Sequence, residues 1–259
     1  MRIAVCVKQV PDTWSEKVLR DSDKTLDRDA AEGVLNELDE YAVEEAIRLV
    51  ETHTGEAVVI SMGPERAAES IRKALSMGAD SGVHICDPAL HGSDALATSL
   101  VLAKALEGRN FDLILFGSES TDARMSVVPA MVAERLGLPQ LTFANSVSVQ
   151  GDEITTTRIT SDGVATVKAK LPAVVSVVEK INEPRYPSFK GIMAAKKKTI
   201  ETLSLNDLGI APSDVGLAAS WSLVETVTPR PAKTKGALHT DAGDGGLKIA
   251  EFLTTQKII

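Results

Sequence analysis

Gly55-Glu-Ala-Val-Val-Ile-Ser-Met62, then Gly63-Pro64, then Ala67 to Met77 with Gly78 behind it, spell out one strand and the helix that follows it. An apolar run without polar alternation reads as a strand covered on both faces. Gly63-Pro64 stops it, and Pro64 suits a first helical turn. Ala67 to Met77 has helical spacing, and Gly78 suits a C-cap. Gly82 to Cys86 then starts another apolar run. Strand, helix and strand at this spacing make a βαβ unit with a right-handed crossover, hence a parallel sheet.

Working outward, Arg2 to Val7 reads as the first buried strand, and Pro11 turns the chain within Lys8-Gln9-Val10-Pro11-Asp12-Thr13. Ser15 to Gly33 is polar and aperiodic, a loop with an excursion. Leu38 to Val50 carries Val43, Ala46, Ile47 and Val50 on one helical stripe, with Asn36 or Asp39 as candidate caps. Ser93 to Leu106 reads as a helix, Phe111 to Phe116 as a strand ending at Gly117, Ser118 to Asp122 as a polar loop, and Val127 to Leu136 as a helix closed by Gly137. The pattern changes near Gln140. Ser146 to Val149, Glu153 to Ile159 and Val164 to Ala169 are strand-like runs split by the hairpin turns Gln150-Gly151-Asp152 and Ser161-Asp162-Gly163, which predicts an antiparallel ribbon. Leu171 to Val177 returns as a buried strand. Pro184 and Pro187 exclude an early helix, so a short one is expected over Ile192 to Lys198. Ala211-Pro212 and Thr228-Pro229-Arg230-Pro231 read as linkers, and Leu247 to Thr255 as a last amphipathic helix. The expected organisation is an α/β domain over 1–200, with the antiparallel insertion at about 145–170, and a C-terminal arm over 201–259.

Composition narrows the function. Aromatics are 3% of a chain that is 44% hydrophobic, so the core is aliphatic. A net charge of −8 argues against nucleic acid. Cys6 and Cys86 lie in apolar runs and read as reduced core thiols. His53, His84, His91 and His239 share no metal-ligand spacing and read as surface or loop residues. Lys8 interrupts the first apolar run too early for a signal peptide, and no run approaches the ~20 residues of a membrane span. The expectation is a cytoplasmic protein without membrane insertion. No nucleophile elbow, metal spacing or Walker-type loop is present, which points to binding or carriage rather than catalysis.

In open parallel sheets, ligands sit beyond the carboxyl ends of the strands where strand order reverses. Lys8 to Thr13, Met62 to Arg66 and Gly117 to Asp122 leave that edge. An adenine nucleotide is the natural ligand; ordinary polar turns explain the same residues equally well. Lys196-Lys197-Lys198 is either a solvated helix end or, with Tyr186 or Phe189 exposed beside it, a docking segment.

Val7-Lys-Gln-Val-Pro-Asp-Thr13, Asn36 to Ala46, Met62-Gly-Pro64, Ile71 to Asp80, Asp112 to Gly117, Leu171 to Val175 and, most specifically, Asn182 to Lys198 together resemble electron-transfer flavoprotein β subunits over almost the whole chain. The resemblance implies a Rossmann-like parallel sheet flanked by helices, with the antiparallel ribbon and an extended C-terminal arm. It implies an α-subunit partner holding most of an FAD, an AMP buried in the β subunit, electrons received from acyl-CoA and related dehydrogenases, and delivery to a membrane quinone oxidoreductase. Carried over, the nucleotide positions are Cys6, Asn36, Glu37, Leu38, Asp39, Met62, Gly117, Ser118, Glu119, Ser120, Thr121, Asp122, Ala123, Arg124, Met125, Ser126, Val127 and Val128. The docking positions are Glu183, Pro184, Arg185, Tyr186, Pro187, Phe189, Ile192, Met193, Lys196, Lys197 and Lys198, with Phe189 where the family commonly has leucine. Met125 and Val127 stand where members of the family carry phosphate donors, and Arg124 offers charge instead. Ala165 stands where an acidic residue often meets the α subunit. Some relatives hold a second FAD in place of AMP and bifurcate electrons from NADH; Val7 to Thr13 and Gly92 to Thr98 resemble them too, but their loop is rich in Gly, Asp and Gln. The rival outside this family is a stand-alone adenine-nucleotide-binding protein on the same fold.

Overall fold

The computed structural model describes residues 1–259. Met1–Glu225 form one compact unit and Thr226–Ile259 a second. In the first, β1 (Arg2–Cys6) is followed by a short strand β2 (Gln9–Pro11), an excursion, and β3 (Gly33–Leu35) leading into α1 (Glu37–His53). Then come β4 (Glu56–Met62), α2 (Ala68–Met77), β5 (Ser81–Ile85), α3 (Ala95–Leu106), β6 (Leu113–Gly117), α4 (Val128–Leu136) and β7 (Gln140–Ala144). The ribbon β8 (Ser146–Gln150), β9 (Glu153–Thr160) and β10 (Gly163–Lys170) precedes β11 (Ala173–Val177), α5 (Phe189–Ala195), β12 (Ile200–Leu203) and the short α6 (Gly216–Ala219).

Seven strands form one parallel sheet in the order β12-β5-β4-β1-β6-β11-β7. The apolar runs quoted above supply its centre because a strand covered on both faces has no polar side to show. Side chains alternate accordingly. Val5, Val59, Leu115 and Val175 face α1 and α2, whereas Cys6, Ile60, Ile114 and Val174 face α3 and α4. The chain builds outward from β1 through β4 to β5, then crosses back to lay β6 on the other side of β1. The switch point therefore lies between β1 and β6, and the loops beyond Cys6 and Gly117 meet there.

Four strands escape the sequence reading. Pro11 does not end the extended chain. Gln9–Pro11 leaves the sheet and pairs with Gly33–Leu35 in a separate antiparallel ribbon, where a missing proline N–H is harmless. Gln140–Ala144 runs parallel to β11 at one edge, and Ile200–Leu203 runs parallel to β5 at the other. α5 covers Phe189–Ala195 rather than Ile192 to Lys198, because the Ser188 hydroxyl accepts the Gly191 amide and caps the helix immediately after Pro187. His84 is buried in β5, its Nε2 within 3.1 Å of the Gly63 carbonyl oxygen, so it is neither a surface nor a loop residue. Both cysteines are free; Cys6 is buried and Cys86 partly so. No helix is long and apolar enough to cross a membrane. In the second unit, α7 (Gly245–Thr255) shows Leu247, Ile249 and Phe252 to solvent.

Candidate functional site

The β2–β3 ribbon determines where α1 begins. It returns the chain after the excursion so that the Asn36 amide donates to the Lys8 carbonyl at 2.9 Å, placing the start of α1 against the end of β1. Asn36 occupies the N-cap position but makes no side-chain cap. Its buried amide turns instead to the loop after β6: Nδ2 donates to Glu119 O at 2.9 Å, and Oδ1 accepts the Thr121 amide at 3.0 Å. One side chain thus clamps Glu119–Thr121 onto α1.

Asp39 also faces inward. Its Oδ2 accepts the Lys8 amide at 2.8 Å. Burial pushes its carboxyl up to about 7, against hydrogen bonds from Lys8, Asn36 and Gly117. Gly117 lies flat on this group, and a Cβ there would stand 2.4 Å from Asp39 Oδ1 and 2.7 Å from the Leu38 carbonyl. Asp39 positions the two strand ends. Because its folded pKa exceeds the unfolded value of 3.8, the folded chain binds the extra proton. The stabilisation is complete below about pH 4 and is lost as pH rises towards about 7, on the order of 4 kcal/mol for this group. Asp39→Asn, which cannot titrate, should flatten that slope. Urea midpoints of both chains at pH 4.5 and pH 7 check it, and an identical slope in the variant would refute the assignment.

Asp122 carries the opposite shift. Lys8 Nζ donates to its Oδ1 at 2.7 Å, and Arg28 Nη2 to its Oδ2 at 2.9 Å. Burial alone would raise its pKa, but the two cations outweigh burial and hold it near 2. Lys8 Nζ also reaches Ser120 Oγ at 3.3 Å, and burial keeps this ammonium below the ordinary lysine value despite Asp122.

Beyond these clamps the loop is strained. Arg124 and Ser126 take left-handed φ of 51° and 57°, which L residues hold only where their surroundings impose it. Ser126 Oγ donates to Glu119 Oε2 at 2.8 Å. Thr121 Oγ1 is buried with no partner, a donor free for a ligand oxygen. Arg124 is exposed at the same turn, as are Ala123, Met125 and Val127, while Ser118 is buried beneath it. Val128 and Pro129 open α4 behind the loop. Met62 is half-buried at the end of β4. Cys6 is buried at the end of β1, where desolvation and then Asp39 push its thiol up. Glu37 points out, accepting from Thr13 Oγ1 at 3.2 Å. The expected positions thus gather at one sheet edge, but Asn36 and Asp39 are spent on holding backbone and Asp122 on the side chains of Lys8 and Arg28. Sequence reasoning missed the side chains of Lys8 and Arg28; Arg28 lies in an aperiodic loop that carries no local signal.

The Asn182 to Lys198 segment is built like a bracket. Asn182 Nδ2 donates to Tyr41 O at 3.0 Å and to Glu45 Oε2 at 3.1 Å. Arg185 spans two carboxylates of α1: Nε donates to Glu44 at 2.8 Å and Nη1 to Glu51 at 2.7 Å. Glu44 is 2% exposed; burial opposes its charge, but Arg185 and Arg48 keep its pKa below the ordinary range. At the far end, Arg72 Nη1 donates to the carbonyls of Ala195 and Lys198, each at 2.6 Å. Lys198 Nζ folds onto the Leu75 and Ala79 carbonyls at the end of α2, so it serves as a helix C-cap, whereas Lys196 and Lys197 are exposed. Between these fastenings Tyr186 is 95% exposed and Phe189 81% exposed, with Ile192 and Met193 half-exposed behind them. Glu183 is exposed, and Pro184 and Pro187 are half-buried.

Residues 23–208 match the family model described as the electron transfer flavoprotein domain. The electron transfer flavoprotein subunit beta of Mycobacterium leprae is 55% identical over 265 residues, covering 99% of each chain. That of Thermoanaerobacterium thermosaccharolyticum is 35% identical over 261 residues, covering all of both. The caffeyl-CoA reductase-Etf complex subunit CarD of Acetobacterium woodii is 34% identical over 242 residues, covering 93% of this chain and 92% of its own. With a parallel sheet over which the family model matches, and relatives matched along its whole length, the chain belongs to the electron transfer flavoprotein β-subunit family, whose members are electron carriers rather than enzymes.

Proposed function

We propose that the chain pairs with an α subunit holding most of an FAD, buries an AMP in the cradle between β1 and β6, and presents Asn182 to Lys198 to flavoprotein dehydrogenases such as acyl-CoA dehydrogenases. Electrons then pass to a membrane quinone oxidoreductase, in keeping with a cytoplasmic carrier. The observation that carries this reading is the bracket. Two largely exposed aromatics stand on a segment fixed at both ends by partly buried hydrogen bonds, an arrangement with no use in a solitary chain and suited to a partner pocket. Lys196 and Lys197 add charge for acidic partners and make association salt-dependent.

The cradle fits AMP in kind. Thr121 Oγ1 is an unpartnered buried hydroxyl, and Arg124 is an exposed guanidinium whose Nε donates to Thr121 O at 3.4 Å, leaving its terminal nitrogens for a phosphate; both lie at a strained turn held by Asn36. The flavin supplies the one- and two-electron chemistry. This chain's residues seat the nucleotide, keep water from the strand ends and offer the docking surface. A second reading, FAD in the cradle in place of AMP, is favoured by the relative named as part of a reductase complex.

Phe189→Ser in the heterodimer tests the docking role. Yield, visible spectrum and nucleotide content should match the wild type, while the second-order rate of flavin reduction by a partner dehydrogenase falls about tenfold or more, as for loss of an aromatic hot spot. An unchanged rate in both Phe189→Ser and Tyr186→Ser would exclude the segment as the docking site.

A further inference from the structure

Arg28 has no place in the functions described so far. It sits on a 3-10 turn, Arg28–Ala30, in the polar excursion between Pro11 and Gly33. That turn is fastened from several sides. Arg28 Nη1 donates to Gln9 O at 3.3 Å and Nη2 to Asp122 Oδ2 at 2.9 Å. Arg66, from the turn after β4, donates to the Arg28 carbonyl and pairs with Asp29 at 3.4 Å. Gln9 Nε2 returns the link, donating to Arg66 O at 2.8 Å. The excursion is therefore tied to the loops after β1, β4 and β6, the three that leave the carboxyl edge of the sheet. A separate fastening holds its outer part, where His91 Nε2 meets Asp23 Oδ2 at 2.8 Å.

Asp122 is the only loop residue on which these ties converge between the clamp at Glu119–Thr121 and the strained turn at Arg124 to Ser126. Its side chain is 3% exposed, and both cations favour its charged form there. We infer that Arg28 is a positioning residue of the nucleotide site: by gripping Asp122 from the excursion it fixes the turn Thr121–Ser126 in the shape that holds a phosphate. Lys8 alone sets one oxygen of Asp122, and Arg28 sets the other, so removing Arg28 frees the carboxylate to rotate and the turn to relax from its left-handed backbone. The inference rests on the nucleotide reading proposed above and goes further by giving the excursion a function.

The test uses the co-expressed heterodimer with Arg28→Met, Arg28→Lys and Asp23→Asn, following release of labelled AMP and, separately, of labelled adenosine. Arg28→Met should release AMP about tenfold faster, the effect expected when a charged hydrogen bond is lost, and leave adenosine release unchanged. Arg28→Lys should recover most of the AMP retention. Asp23→Asn, which loosens only the outer fastening, should leave both unchanged. Equal AMP release in wild type and Arg28→Met would overturn the inference while leaving the nucleotide reading intact. So would the same loss in Asp23→Asn as in Arg28→Met, since it would mean general loosening of the excursion. A wild-type heterodimer that binds neither AMP nor adenosine would remove the nucleotide reading and this inference together.

Discussion

Gly117→Ala should weaken AMP binding in the proposed nucleotide cradle. The new methyl would stand 2.4 Å from Asp39 Oδ1 and 2.7 Å from the Leu38 carbonyl, and neither atom can retreat. Leu38 belongs to the first turn of α1, and Asp39 is held by the Lys8 amide within a buried environment. Overpacking of this kind costs about 1–3 kcal/mol. The strain falls at the root of the loop, so it displaces Glu119–Thr121 from the Asn36 clamp. A heterodimer carrying Gly117→Ala should lose AMP about tenfold faster than wild type and melt lower. Nucleotide analysis and a melting curve check both. Full AMP content with an unchanged melting temperature would show that the loop is not seated on Asp39 as described.

Arg185→Met should produce the other large effect, at the opposite end of α1. Glu44 would lose two of the guanidinium's contacts while remaining buried, and removal of one partner of a buried pair costs about 3–5 kcal/mol. Arg48 still reaches Glu44 at 2.7 Å, which places the expected loss near the lower bound. Glu44→Gln in the same chain should recover part of it, because an uncharged group no longer needs the pair; the double-mutant cycle gives the coupling. Docking should weaken as well, since Tyr186 adjoins Arg185. A melting temperature within a degree of wild type for Arg185→Met would contradict the bracket.

The sheet was legible because its centre is written as unbroken aliphatic runs. Ala57 to Ile60, Leu113 to Leu115 and Ala173 to Val175 have no polar face to confuse with a helix stripe or a half-exposed ribbon. The ribbon was legible for the opposite reason, its Thr-rich alternation and glycine turns. The edge strands were not. Ile200–Leu203 is short and follows a lysine run, and Gln140–Ala144 is marked only by its pairing with a strand some thirty residues later in the chain. Gln9–Pro11 contains a residue that argues against any strand. The site positions came from resemblance and sheet topology; their roles did not. Nothing local in Asn36 or Asp39 says that one clamps a loop and the other is buried with a raised pKa. Long-range side-chain contacts, such as Arg28 with Asp122, have no sequence signature at all.

The proposed role of this chain is to build a nucleotide cradle inside a two-subunit flavoprotein carrier. Co-expression with its α partner, followed by acid release and quantification of the bound nucleotides, tests it most directly. The expected result is a yellow heterodimer releasing one FAD and one AMP. Two FAD and no AMP would contradict the cradle's assignment and favour the second reading, and a colourless chain that ignores its partner would contradict the account as a whole.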